Sequence, residues 1–282
     1  MHKAYGKGWG LSPEREVTAE TFTDVAVDLI VPWKITVGSK TVEFNALTCF
    51  DMTTNLVELV RIKNKTSAHI SRQFAQTWLA RYPRPAKCIH DNGGEFIGHE
   101  FQELLKDNEI KFGCTTSKNP QANAVCERMH QTVANVLRTF LHTKPARNMQ
   151  MANKIIDEAL AHATYAMRST VHTTLGSSPG SLVFGRDIFL NIPLVADWHM
   201  ITKRREQVIN ANLKRENKRR QRWDYEPGQK ILKKLHDPTK LGIQKMGPYE
   251  IKKTHTNGTV TIQLLPDVTE RINIRRIVPY RE

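Results

Sequence analysis

The stretch CIHDNGGEFIGHEF, residues 88–101, decides how the chain is read, because an apolar run ends on Asp91 and helical spacing begins behind it. Two readings of Asp91 are open from this window. Asp, Asn and Gly are turn formers that supply special backbone angles at little steric cost, so Asp91 can be a turn residue and nothing more. It can equally be a carboxylate held at the end of a strand to do chemistry.

Working outward, AKCIHD (86–91) reads as a strand, GHEFQELLKDN (98–108) as a helix and EIKFGCTT (109–116) as a strand, and a long helix follows KNPQAN (118–123). Upstream, FTDVAVDLIV (22–31) is a buried strand with Asp28 inside it. TVEFNALTCF (41–50) and NLVELVRI (55–62) are two more strands joined by the polar turn DMTTN. Thr66 can cap a helix in which Ile70, Phe74 and Trp78 recur at every fourth position and which stops before Pro83. Strands first, then alternating strand and helix, predict an α/β fold with a mixed sheet covered by helices.

Further on, a helix is expected over 148–168, a loop around Gly176, Pro179 and Gly180, and a basic helical arm over 198–223. After YEPGQ (225–229) the pattern changes to short alternating strands, with Asn257-Gly258 as a hairpin signal. The expected organisation is an N-terminal tail (1–19), a core (20–197), a basic helical linker (198–226) and a small all-β module (227–282).

The 282 residues carry a formal charge of +14. Residues 201–223 hold nine Lys and Arg against Glu206 and Glu216, and residues 230–282 hold eleven against five acids, so the rest is nearly balanced. An excess gathered in the C-terminal third predicts a polyanionic partner, nucleic acid first. The four cysteines (49, 88, 114, 126) form no C-x-x-C pair, which argues against a zinc site or a disulfide framework. MHKAYGKGWG lacks the apolar run of a signal peptide, and VAVDLIVPW is short and interrupted by Asp28. A soluble intracellular protein with no membrane partner is expected. HEFQE (99–103) lacks the second histidine of a zinc protease helix, and DNGGEF fails the EF-hand spacing.

Three acids stand out. Asp28 lies inside an apolar strand, where an ionised carboxylate is costly unless it meets a partner or a metal ion. Asp91 ends a strand. Glu127 lies on the long helix, off the apolar stripe of Val125, Met129, Val133, Val136, Leu137 and Phe140, where a solvated surface acid is also ordinary. Should the three converge, they would form the oxygen-rich cluster that hard divalent cations require. A pair of such ions can activate a water or hydroxyl and stabilise a leaving oxygen.

Asp28, Asp91 and Glu127, with 35 residues between the last two, resemble the D, D-35-E pattern of retroviral and retrotransposon integrases. HDNGGEF (90–96) and NPQANAVCERMHQTV (119–133) resemble the blocks around its second and third acids. VHTTLGSSPGSLVFGRD (171–187) is similar to the segment after the core in gypsy-type LTR retrotransposon integrases, and MGPYEI (246–251) with INIRRIVPY (272–280) to their GPY/F module. The resemblance spans roughly residues 20–282.

It implies a ribonuclease H-like core followed by a small Src-homology-3-like barrel. It further implies two Mg²⁺ or Mn²⁺ ions held by Asp28, Asp91 and Glu127 when DNA is bound, DNA 3′-end processing, and strand transfer into target DNA. Asn92, Lys118, Arg128, Arg138, Arg215, Arg219, Arg220 and Arg222 are the candidate DNA contacts. Double-stranded DNA, further copies of the chain and chromatin are the implied partners, and the nucleus the implied location. Three features depart from the family pattern: Val31-Pro32 replaces a common Gly-Pro, Ala124 a frequent glycine, and Gln131 and Ala134 the lysines of retroviral relatives. No counterpart of the family's N-terminal His-His-Cys-Cys zinc domain occurs in this sequence. The rival reading is a catalytically idle, integrase-derived DNA- or chromatin-binding protein.

Overall fold

A computed structural model describes residues 8–13, 20–114, 120–143, 145–190, 192–235 and 242–280, with the side chains of residues 31, 114 and 120–127 outside the description. The chain divides into two units, Thr18–Thr202 and the combination of Met1–Val17 with Lys203–Glu282.

After a two-residue strand β1 (Gly8–Trp9), the chain runs β2 (Asp24–Val37), β3 (Lys40–Asp51), β4 (Val57–Ile62), α1 (Ser67–Phe74), β5 (Lys87–His90), α2 (Gly94–Ile97), α3 (His99–Asp107) and β6 (Lys111–Cys114). The long helices α4 (Pro120–Thr143) and α5 (Met149–Ser169) follow, then α6 (Pro179–Phe184) and α7 (Trp198–Asn217). In the first unit β2 to β6 make one five-stranded sheet in the order β4-β3-β2-β5-β6. The β2–β3 and β3–β4 ladders are antiparallel, whereas β5 joins β2, and β6 joins β5, in parallel. The predicted meander followed by alternating strand–helix units is therefore the observed mixed sheet.

Residues along β2 alternate between two helical layers, as the period of two in a strand dictates. Val25, Val27 and Leu29 join Ile70, Phe74 and Trp78 of the α1 region with Phe96, Phe101 and Leu105 of α2 and α3. On the opposite face, Ala26 packs with Phe50, Val57 and Met129, and Ile30 with Phe44, Ala46, Val133, Leu137, Ile155 and Ile156 of α4 and α5. Both faces are covered, and each large apolar side chain so removed from water contributes ~1.5–3 kcal/mol.

Pro32 sits within β2 although it has no N–H to give to a ladder. The register with β3 shifts between Ile30 and Trp33, and the ladder with β5 ends at Ala26–Ile89, so the proline falls at an irregularity with no β5 partner. Thr66 caps α1 as expected, its side chain accepting from His69 N–H, and the helix continues as a π turn over Ala75–Leu79 that carries Trp78 inward. The DMTTN turn is organised by buried Asp51, which accepts from the N–H groups of Phe22 and Thr54 and from the Thr54 hydroxyl. Gly98 separates α2 from α3; a Cβ there would lie 2.4 Å from the Ser67 Cβ.

Two sequence expectations change. The loop expected around Pro179 and Gly180 contains helix α6, started by the Ser178 cap with Pro179 in its first turn. The basic arm leaves helix at Asn217, and Arg220–Gln221 become a short strand, β7, that pairs in parallel with β1. Residues 8–13 of the expected tail thus belong to the second unit. Arg220 donates to the carbonyls of Trp9 and Gly10, and Ser12 bonds to Asn217 and Glu216.

The remainder of that unit is all-β: β8 (Lys230–Lys234), β9 (Lys245–His255), β10 (Thr259–Leu265), β11 (Val268–Asn273) and β12 (Ile277–Pro279), in the order β11-β10-β9-β8-β12. Ile231, Ile251, Val260, Ile262, Ile272, Ile274 and Ile277 form its core. The Asn257-Gly258 signal is the β9–β10 hairpin, with Gly258 at φ +73°. The units have a ribonuclease H-like and a Src-homology-3-like architecture. No described helix is long and apolar enough to cross a membrane.

Buried Glu58 on β4 ties three elements together: it accepts from the Tyr82 hydroxyl at 2.6 Å and pairs with Arg168 of α5 and with Arg81. Burial and the Glu58 bond push the Tyr82 hydroxyl up to about 12. Glu58→Ala leaves the Arg168 charge without this partner, so denaturant unfolding is expected to show a loss of about 3–5 kcal/mol. Lys34→Ala, which breaks the exposed Lys34–Glu43 pair, should change stability by less than about 1 kcal/mol in the same measurement.

Candidate active site

Asp28 is half-buried near the middle of β2, and its parity with Ala26 and Ile30 assigns it to the face covered by α4 and α5. Its Oδ1 accepts from the Leu29 N–H at 2.9 Å. Thr48 on β3 stands directly opposite it in the ladder and is fully buried.

Asp91 follows the last residue of β5, the strand parallel to β2. Their ladder runs from Asp24–Lys87 to Ala26–Ile89, so Asp28 and Asp91 lie toward the same end of neighbouring strands. Ligands of open α/β sheets bind beyond the carboxyl ends of parallel strands. Asp91 does sit in a turn: its side chain is exposed, and its Oδ1 accepts from Gly93 N–H at 2.9 Å.

His90, which the sequence did not single out, anchors this turn. It is buried against Phe96 and Phe101, and its Nδ1 lies 2.7 Å from the Asp91 carbonyl. A carbonyl only accepts, so Nδ1 carries the proton and Nε2 is the acceptor that faces Gln102 Nε2 at 3.5 Å. The only signal in the sequence is a histidine at an inward strand position.

Glu127 lies within α4, but its side chain is outside the described residues, as is the whole of Lys118. Among the described residues no group of three or more His, Cys, Asp or Glu side chains gathers at one point. What is described fits a hard cation: two carboxylates on neighbouring strands, with no thiol or imidazole at either position. Helix α4 meets the sheet on the Asp28 face through Met129, Val133 and Leu137. His130 on the same helix lies 3.1 Å from the Thr48 hydroxyl through Nε2, and burial pushes it down to about 4.

The candidate DNA contacts separate into two kinds. Asn92, Arg128, Arg138, Arg215, Arg219 and Arg222 are exposed. Arg138 donates to Asn135 Oδ1 at 2.8 Å, as Gln131 does at 3.0 Å, so the exposed face of α4 carries a short polar chain. Arg220 is half-buried, with its guanidinium donating to the Trp9 and Gly10 carbonyls.

The chain combines a ribonuclease H-like sheet unit with a small basic all-β unit. No protein-family model matches it. It is similar to the retrovirus-related Pol polyprotein from transposon 412 of Drosophila melanogaster, with 24% identity over 88% of this chain and 21% of that protein. It is also similar to the Gag-Pro-Pol polyprotein of squirrel monkey retrovirus, with 32% identity over 29% of this chain and 4% of that protein. The chain thus spans about a fifth or less of the length of these relatives. Among solved structures, a chain of the simian T-cell lymphotropic virus intasome shares the fold with a TM-score of 0.65 and 14% identity, covering 97% of this chain and 84% of that one. The chain is a relative of retroviral and transposon Pol polyproteins, and the transposon 412 match fits a gypsy-type element.

A folded-state pKa for His130 below the ordinary 6.5 means that the unfolded chain binds the proton more readily. Its contribution to stability is therefore complete above about pH 6.5 and is lost as pH falls toward about 4. Urea unfolding across that window should show His130→Gln losing roughly 2–3 kcal/mol less than the parent chain. Parallel losses in the two proteins would contradict the assignment.

Proposed function

We propose that the chain is a divalent-metal-dependent DNA-joining enzyme of the integrase type, with Asp28, Asp91 and Glu127 as the ligands of Mg²⁺ or Mn²⁺. The observation that carries this reading is Asp28, a carboxylate in a strand covered on both faces, on a strand parallel to the one that Asp91 terminates. Carboxylate oxygens offered from neighbouring strands are the ligands a hard divalent cation takes.

Bound metal supplies charge neutralisation at the scissile phosphate and a more nucleophilic attacking oxygen. The chain's own residues hold and orient. Asp28 would offer its oxygens from the sheet, Asp91 from the His90-anchored turn, and Glu127 from α4. In end trimming, water oxygen bonds to phosphorus, the bond to the 3′ oxygen breaks, and a proton passes to that oxygen. In strand transfer the new 3′-hydroxyl attacks a target phosphodiester and displaces its 3′ oxygen. Neither step needs a protein nucleophile or a redox partner, which suits a site made of carboxylates.

Arg128 and Arg138 on α4, with Arg215, Arg219 and Arg222 beyond it, are proposed to contact phosphates and fix DNA without reading its sequence. Asn92 and Lys118 complete the candidate contacts. By analogy with the intasome chain that shares the fold, the working form is proposed to be a multimer on DNA, acting in the nucleus on element ends and chromosomal target.

A branched DNA substrate tests the reading. Nicking or disintegration that needs Mg²⁺ or Mn²⁺ is expected, and Asp91→Asn should lower it by more than about 100-fold with unchanged circular dichroism. No metal-dependent turnover by the parent chain, with DNA still bound, would favour an idle DNA- or chromatin-binding descendant. The concentration of positive charge in the C-terminal third already supplies what binding alone requires.

Phosphate contact by the basic arm has its own readout. Arg219→Ala and Arg222→Ala should each reduce the slope of log affinity against log salt by about 0.9. An unchanged slope would remove those residues from the interface.

A further inference from the structure

We propose that His130 is a positioning residue for the candidate metal centre, its bond to Thr48 acting as a strut that sets helix α4 relative to the Asp28 strand. The inference rests on the reading of Asp28, Asp91 and Glu127 as ligands. It concerns what holds those ligands in register, which that reading leaves open.

A centre whose acids come from a sheet and from a helix needs the helix fixed along and about its own axis. Apolar contacts of Met129, Val133 and Leu137 press α4 onto the sheet, but hydrophobic burial is not directional. A hydrogen bond is. The His130–Thr48 bond, at 3.1 Å, is a polar side-chain contact between α4 and the sheet.

One end of the strut falls beside Asp28. Thr48 is the cross-strand partner of Asp28, and directly opposed residues of an antiparallel pair carry their Cβ atoms about 4.5–5.5 Å apart on one face. His130 lies three residues after residue 127 on the same helix. The strut therefore joins the cross-strand partner of Asp28 to the helix that carries residue 127. Burial keeps the imidazole neutral near neutral pH, so it adds no positive charge that would compete with a cation.

Mn²⁺ binding by the full chain, read by electron paramagnetic resonance alongside thermal unfolding, separates positioning from mere support. Thr48→Val and His130→Leu should each weaken Mn²⁺ binding roughly tenfold, the scale on which outer-shell partners act. Each also leaves a polar atom buried without its partner and lowers the unfolding temperature. The double variant Thr48→Val/His130→Leu removes both partners, so it should recover thermal stability while its Mn²⁺ binding stays weak. His130→Gln, whose Nε2 reaches the same place, should retain most of the binding. Near-parental Mn²⁺ affinity in Thr48→Val or in the double variant would overturn the strut. Asp28→Asn serves as the control: if it binds like the parent chain, the ligand reading fails and the strut with it, whereas loss in Asp28→Asn but not in Thr48→Val removes the strut alone.

Discussion

Two-sided burial of residues 25–30 of β2 is the constraint from which the rest follows. A stretch covered on both faces has little access to solvent, so its residues pack or pair. Val25, Val27 and Leu29 pack one way and Ala26 and Ile30 the other, which leaves Asp28 as the one acid between apolar neighbours. Its carboxylate is placed by the same alternation that builds the core. Shifting the register by one residue would move Asp28 to the α1–α3 face, away from α4. Sheet register and the position of Asp28 are thus one property.

The second unit obeys a different logic. Its barrel core is aliphatic, and its outer layer includes a segment drawn from the other end of the sequence. Gly8 and Trp9 pair with Arg220 and Gln221, Arg275 pairs with Glu216, and Trp9 meets Trp223 edge to face at 5.5 Å. Of the guanidiniums in this region, Arg275 is paired with Glu216, whereas Arg220 keeps its charge while its donors serve the Trp9 and Gly10 carbonyls. Exposed charge in the region includes Arg215, Arg219 and Arg222.

Much of the fold was legible because it rests on local periodicity. The meander, the capped start of α1, the long α4 and α5 and the Asn257-Gly258 hairpin all follow from spacing within a dozen residues or so. What stayed hidden depends on partners remote in sequence. Nothing around Arg220 announces that Trp9 and Gly10 will accept its hydrogen bonds, so a helix was expected where a strand forms. Helix α6 was missed because Pro179 and Gly180 are loop formers, although Ser178 and a proline in the first turn are a helix start. At the site, Asp28 and Asp91 could be singled out by type and position. His90 and His130 could not, because a buried histidine acquires its role only from the carbonyl or hydroxyl it happens to meet.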